Sequence, residues 1–234
     1  MSEQILSTSS PLMVAPLTVA DVAREASELY ADSPAAIRYK QALRPYICPF
    51  HVLVGFVDPA ARVLDVGCGS GLFLALLVRL RAVRSAIGFD ASKPAIAVAQ
   101  RVGERLQAPD IHFEYRDARM PWPEGRFDVV SMIDVMHHVP PEAHRQIVAS
   151  AGQRVAEGGV FLYKDMARRP LWRAWANRLH DLLLAGERIH YAKLDEVVAW
   201  AKAEGMEPEQ SGAMNMLWYR HEWVVFRRRA PLKK

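Results

Sequence analysis

Val63-Leu64-Asp65-Val66 runs directly into Gly67-Cys68-Gly69-Ser70-Gly71, a short apolar stretch that breaks into alternating glycines. A strand feeding a glycine-rich loop is how a parallel α/β sheet offers backbone to a ligand, because the loop lies outside the carboxyl end of the strand. Without side chains at Gly67, Gly69 and Gly71, the chain can turn sharply and come close to that ligand. The helix that follows would present free N–H groups to it. Spacing then narrows the choice. A dinucleotide fingerprint needs G-x-G-x-x-G, and its third glycine would fall on Leu72 counted from Gly67, or on Leu74 counted from Gly69. A Walker loop needs Gly-Lys-Ser/Thr, which does not follow.

Working outward, short apolar runs alternate with helical periodicity, the signature of parallel βαβ units. Strands are expected over 62–66, 85–89, 111–115, 127–133 and 159–165, with helices over 72–81 and 94–106. Two further strands, 210–219 and 222–229, meet at a tight connection and predict an antiparallel pair at the sheet edge. Upstream, Val22, Ala26, Leu29 and Tyr30 recur at helical spacing behind Asp21 as a candidate cap, and Ala35 to Leu43 reads as a second helix interrupted at Arg44-Pro45. The fold class expected is α/β, a doubly wound, mostly parallel seven-stranded sheet with an antiparallel C-terminal strand. Residues 1–18 read as a flexible leader, and 19–234 as a single domain with a helical cap over 19–58. Residues 167–191 exceed an ordinary strand-to-helix connection and read as an inserted lid helix, with Leu171, Trp172, Trp175, Leu179, Leu182 and Leu183 on its apolar face.

Composition bounds the class. With 51% apolar residues in 234, the chain can bury a full core. The leader has no basic start or long apolar run, and no apolar stretch approaches the ~20 residues needed to span a bilayer. With only Cys48 and Cys68, the second placed inside the glycine loop, a reducing cytoplasm is the expected compartment. The net charge of +4 owes much to Arg227-Arg228-Arg229 and Lys233-Lys234, which read as a solvated strand end and tail.

The ends of the later strands carry the chemistry. The second strand closes on Asp90, 25 positions after Asp65, near the ~20 expected of an acid that holds a ribose. The third is followed by Asp117-Ala118, and the fourth reads Phe127-Asp128-Val129-Val130-Ser131-Met132-Ile133-Asp134-Val135-Met136-His137-His138. With the acidic residue and G-x-G-x-G of the first loop, this ordered series resembles class I S-adenosylmethionine-dependent methyltransferases, over about residues 60 to 166. The resemblance implies a Rossmann-like fold, S-adenosyl-L-methionine as cofactor and S-adenosyl-L-homocysteine as product. It implies cofactor contacts from Asp65, Gly67, Cys68, Gly69, Gly71, Asp90, Ala91, Asp117, Ala118, Ile133 and Asp134. Asp90 would accept from the ribose hydroxyls, Asp117 from the adenine amino group, and the Ala118 N–H would donate to the ring. Asp128, at the start of its strand, is structural, and Cys68 is there for its size.

The candidate catalytic residues are His137, His138 and Asp165. Either histidine could take a proton from a hydroxyl beside the methionine end of the cofactor, and Asp165, next to Lys164, could orient an acceptor. Both histidines could equally pack the following helix. Asp134 and Asp165 stand at positions similar to the metal-binding acids of catechol-type methyltransferases, but Met166 follows where those have Asn, so no metal is expected. The Asn/Asp-Pro-Pro-aromatic motif of nucleobase amino-methyltransferases is absent after the fourth strand, and so is the glutamate pair of arginine methyltransferases. The expected partner is therefore a small-molecule acceptor, free or carrier-bound, apolar or aromatic, and methylated at oxygen or carbon. Tyr39, Tyr46 and Phe50 would either enclose it with the lid tryptophans or seal the cap and the lid to the sheet. Arg44-Pro45-Tyr46-Ile47-Cys48-Pro49-Phe50 and Lys164-Asp165-Met166 add a fainter resemblance to methyltransferases of aryl-polyene pigment pathways. The alternatives are an RNA or protein methyltransferase using the basic C-terminal strand, and a regulatory protein that binds the cofactor without catalysis.

Overall fold

A computed structural model describes residues 17–81, 83–108, 110–167, 192–217 and 219–229. Along the chain run α1 (Val19–Leu29), α2 (Ala35–Ile47), α3 (Phe50–Leu53), β1 (Arg62–Val66), α4 (Leu72–Arg81), β2 (Ser85–Asp90), α5 (Lys93–Arg105), β3 (Ile111–Tyr115), β4 (Phe127–Ile133), α6 (Pro141–Arg154), β5 (Val155–Met166), α7 (Leu194–Ala203), β6 (Met206–Met216) and β7 (Tyr219–Arg228). One-turn 3₁₀ helices, Val54–Phe56 and Met136–His138, precede β1 and follow β4.

The strands form one sheet in the order β3-β2-β1-β4-β5-β7-β6. β1 pairs in parallel with β2 on one side and β4 on the other, so strand order reverses there. Register brings Val66, Phe89, Met132 and Tyr163 level at one edge. β7 is antiparallel to both β5 and β6. The fold is the seven-stranded, mostly parallel sheet with one antiparallel C-terminal strand that the alternating pattern implied.

Alternation along the strands divides the core. Val63, Val129, Leu162, Trp223 and Val225 face the layer of α1, α3, α4 and α5. Leu64, Val130, Phe161, Val224 and Phe226 face α6 and α7. Among the described residues no helix is long and apolar enough to cross a membrane. Cys48 and Cys68 are both buried free thiols.

Several boundaries differ from those read in the sequence. α1 starts at Val19 under a capping box, in which the Thr18 hydroxyl accepts from the Asp21 N–H while the Asp21 carboxylate accepts from the Thr18 N–H. Asp21 is thus the third helical residue rather than the cap. α2 runs on through Pro45 to Ile47, with Pro45 and Gln41 on its buried face, so packing outweighs the one backbone bond that proline removes. β5, β6 and β7 each begin earlier than expected, at Val155, Met206 and Tyr219, while β2 starts at Ser85 as expected and runs one residue further, to Asp90. In β5 and β6 the early residues are separated from the rest of the strand by register shifts that periodicity does not reveal. The expected lid over 167–191, apart from Ala167, and the leader up to residue 16 lie outside the described residues.

Candidate active site

The glycine loop is fixed from below and from both sides. The Cys68 N–H donates to the Phe89 carbonyl at 3.0 Å, extending the β1–β2 pairing into the loop, and the Gly71 N–H closes a turn on the Cys68 carbonyl at 2.9 Å. Gly67 has φ +67° with Val135 packed where a Cβ would lie, and Gly71 has φ +83° with Phe113 2.9 Å from that position. Side chains there would be both strained and crowded. At Gly69 a Cβ would meet nothing within 4 Å, so this backbone borders open space.

Beneath the loop, Asp65 is buried and accepts from the Ser131 hydroxyl at 2.6 Å. Burial pushes its carboxyl up to about 7, against the Ser131 hydrogen bond and with help from the charge of Asp90. Asp65 therefore braces the loop from inside the sheet. Asp90 takes the Gly69 N–H on Oδ2 at 2.9 Å and the Ser92 N–H on Oδ1 at 2.8 Å, tying the loop to the start of α5. Each of its oxygens keeps a lone pair for a further donor. Ser92 itself caps α5, and Ala91 beside it is exposed. From α1, the fully buried Tyr30 donates its hydroxyl to the Ser70 carbonyl at 2.7 Å. Burial raises the Cys68 thiol well above its usual range, with Asp65 and Asp90 adding to the effect, so it stays protonated.

At the end of β3, Asp117 grips Arg119, with Oδ1 2.9 Å from Nε and Oδ2 2.5 Å from Nη2, while the Arg119 N–H donates to Oδ1 at 2.8 Å. These hydrogen bonds hold the Asp117 carboxyl below its ordinary value. Ala118, half-buried, accepts the Trp122 indole N–H at 2.7 Å, and Trp122 packs edge-on against Phe89.

The ends of β4, β5 and β7 gather the charges. Ile133 is buried in the core, and Asp134 beyond it turns with φ +58°, its N–H donating to the Lys164 carbonyl at 3.0 Å. Its carboxylate pairs with the wholly buried Lys164 ammonium and, at 3.6 Å, with Arg44 from α2. Burial alone would raise the Asp134 carboxyl, but Lys164 and Arg44 pull it well below the ordinary range. Cys48 lies in the same surroundings, its thiol pushed up to about 11 by burial. His137 is buried, with Nδ1 2.5 Å from Asp165 Oδ1 and its backbone N–H 3.2 Å from Oδ2. Asp165 Oδ1 also accepts the Met166 N–H, which marks it as the acceptor and His137 Nδ1–H as a donor. Burial lowers the His137 pKa, and the charge and hydrogen bond of Asp165 more than reverse that, for a net rise above 6.5. His138 is exposed, its ring tilted 4.1 Å from that of His137, so the two histidines occupy different environments.

Asp134, His137 and Asp165 each offer a ligand atom within 4.8 Å of one another, a spacing that could hold a metal ion. The Lys164 ammonium already neutralises Asp134, which weakens that use. The enclosure expected of Tyr39, Tyr46 and Phe50 involves the lid, which lies outside the described residues. Tyr39 and Tyr46 are 70% and 45% exposed on α2, while Phe50 is buried against Phe73.

Residues 35–211 match the family described as "Methyltransferase domain". The chain belongs to that family. It is a class I S-adenosylmethionine-dependent methyltransferase, with S-adenosylhomocysteine as product. A "Ubiquinone biosynthesis O-methyltransferase" of Dechloromonas aromatica is 30% identical over 66% of this chain and 68% of its own length. A "27-O-demethylrifamycin SV methyltransferase" of Amycolatopsis mediterranei is 28% identical over 64% of this chain and 55% of its own. In fold, the chain resembles magnesium protoporphyrin IX methyltransferase from Synechocystis, solved with bound S-adenosylhomocysteine, at TM-score 0.66 and 17% identity over 88% of this chain and 93% of the other.

The residues of this methyltransferase fit its cofactor. Gly69 exposes backbone to open space, and Asp90 and Asp117 keep acceptor capacity at the ends of β2 and β3. Three residues that shape the site escaped the sequence reading of function: Tyr30, Arg44 and His221. Tyr30 was legible only as an apolar helix position. Arg44 was legible only within the Arg44 to Phe50 stretch, with nothing to signal its contact with Asp134, which depends on how α2 packs. His221 did give one: it stands in the inward series Tyr219, His221, Trp223, Val225 of β7, where alternation calls for an apolar residue.

Proposed function

We propose that this methyltransferase moves a methyl group to a hydroxyl of a small aromatic acceptor, with His137 taking the hydroxyl proton. The observation that carries the reading is the buried Asp165–His137 pair at 2.5 Å. The cofactor supplies a methyl carbon made electrophilic by the adjoining sulfonium, and all else falls to the protein. In-line displacement requires alignment and exclusion of water. A base is needed only where the acceptor arrives protonated. An imidazole that donates through Nδ1 to a carboxylate keeps its lone pair on Nε2, and the carboxylate stabilises the imidazolium once the proton has moved. His137 Nε2 would take the hydroxyl proton as the acceptor oxygen bonds to the methyl carbon, and the positive charge given up by the sulfonium, which would be left as a neutral thioether, would reside on the imidazolium beside Asp165. Relatives named as O-methyltransferases support transfer to oxygen.

In this reading Asp90 holds the ribose, with Ala91 beside it, and Asp117 and Ala118 hold the adenine. Backbone of Gly67, Cys68, Gly69 and Gly71, with Ile133 and Asp134, lines the methionine end, and Asp65 supports the loop. His138 is exposed and contributes less than His137. Arg227 is engaged by Glu209 and the Gly158 carbonyl, and Arg228 by the carbonyls of Gly152 and Glu204. Those ties leave the basic strand few free donors for an RNA backbone and favour a small-molecule acceptor.

The test is formation of S-adenosylhomocysteine from S-adenosylmethionine on addition of a fractionated metabolite extract, with calorimetry of cofactor binding alongside. Wild type should turn over, and His137→Gln should bind cofactor normally while turnover collapses. Undiminished turnover in His137→Gln would sink the proposed role. Cofactor binding with no turnover in any fraction would favour a non-catalytic regulatory protein.

A further inference from the structure

Three histidines are buried among the described residues, and two of them are satisfied. His137 pairs with Asp165, and His144 Nε2 meets the Val139 carbonyl at 2.8 Å. His221 is 1% exposed and neither ring nitrogen has a hydrogen-bond partner. Buried polar groups are ordinarily paired, so an orphan of this kind points to a group that binds there.

Its position says where that group belongs. β7 runs antiparallel to β5, with His221 opposite Met166 and Trp223 opposite Lys164. Residues opposite one another share a face, as do alternate residues, so His221, Trp223, Lys164 and Met166 lie on one side of the sheet. That side carries α1, α3 and α4, and Trp223 packs into their core. The Ala167 N–H donates to the Arg220 carbonyl at 2.8 Å, which places His221 at the strand-end edge where Asp134 and Asp165 stand. The charges of Lys164, Asp134, Arg44 and Asp165 all act on its ring.

Resting on the reading of the protein as an O-methyltransferase, we propose that His221 is the acceptor-recognition residue, its unpaired ring nitrogens hydrogen-bonding the phenolic hydroxyl that is methylated or its neighbour. The chemistry selects the class. Burial first and Lys164 next push the ring down to about 3, so it is neutral and offers one N–H and one lone pair. A hydroxyl can both donate and accept. A carboxylate cannot donate to the lone pair, and an ammonium group is repelled by Lys164 and Arg44. These same two cations favour an acidic hydroxyl, which an aromatic ring provides and an aliphatic alcohol does not. The division of labour follows: His137, oriented by Asp165, receives the proton, while His221 selects and positions.

The probe is catechol, titrated onto protein saturated with S-adenosylhomocysteine and followed by calorimetry and by ¹⁵N resonances of labelled histidine rings. Catechol should bind and shift the His221 ring nitrogens, and His221→Phe should weaken catechol by about tenfold while S-adenosylhomocysteine affinity stays at the wild-type value. His137→Gln should keep both catechol binding and the His221 shift. Absence of catechol binding, binding that leaves the His221 resonances in place, or equal affinity in His221→Phe would each overturn the inference. The resonance shift is read on the unsubstituted protein and stands whether or not a variant folds. Failure of S-adenosylhomocysteine to bind would instead overturn the functional reading beneath it.

Discussion

Tyr30 in α1 and Ser70 in the glycine loop are 40 positions apart and joined by a single hydrogen bond, hydroxyl to carbonyl, 2.7 Å long and closed off from solvent on the tyrosine side. The N-terminal helices are thereby fastened to the glycine loop. Arg79 of α4 reinforces the junction through Glu25 and Glu28, and Arg81 does so through the Val54, Gly55 and Val57 carbonyls. Tyr30→Phe removes one buried bond and leaves the Ser70 carbonyl short of a donor, which costs about 1–2 kcal/mol of stability. Thermal unfolding should record that loss. Calorimetry should record S-adenosylmethionine bound several-fold more weakly, whereas unchanged affinity would mean that the helices do not set the loop.

The Asp165–His137 pair predicts a pH profile. Because Asp165 holds the His137 pKa above 6.5, the base is protonated at low pH, and turnover at saturating substrate should rise with pH along a limb centred above 6.5. Asp165→Asn withdraws the charge that raises it. The limb should then move to lower pH while the rate on its plateau falls by about 100-fold, since the ring loses its orienting acceptor. A limb that stays in place in the variant would show that another group titrates.

Lys164→Met leaves Asp134 with a buried charge and only the half-exposed Arg44 to balance it. Breaking a buried pair from one side costs about 3–5 kcal/mol. Adding Asp134→Asn should return much of that stability. Denaturant titration of the two single variants and the double variant would measure the coupling, and additive losses would contradict a direct pair.

Two buried groups tilt stability with pH in opposite directions. His221 titrates at about 3 in the folded state against 6.5 when free, so its contribution is present above 6.5 and is lost as pH falls toward 3. Asp65 titrates at about 7 against 3.8, so its contribution is present below 3.8 and is lost as pH rises toward 7. The two slopes oppose each other between 3.8 and 6.5. Asp65→Asn should therefore expose a steeper acid-side loss, and His221→Phe should flatten it. Melting temperatures across pH 4 to 7 would show the pair of effects.

How much of this was legible in the chain depends on the range over which each residue acts. The glycine loop, the acids at 90, 117 and 134, and the alternation of strands and helices are local patterns, and the sheet follows from them through general rules of α/β topology. His137 and Asp165 were legible as separate candidates because one follows a strand and the other stands at the end of one. Their contact depends on the neighbouring placement of β4 and β5, which spacing implies without fixing distances. The Arg44–Asp134 contact was illegible, since it joins residues 90 positions apart through a helix that continues past a proline.

The placement of β7 between β5 and β6 bears on how the protein is made. During synthesis the ribosome releases β6 before the strand that joins it to the sheet exists, and β5 has an open edge until β7 arrives. Only then does His221 come to stand opposite Met166. A nascent chain halted before Tyr219 would already contain the glycine loop, Asp90 and the Asp165–His137 pair, and would lack the residue assigned to choose what is methylated.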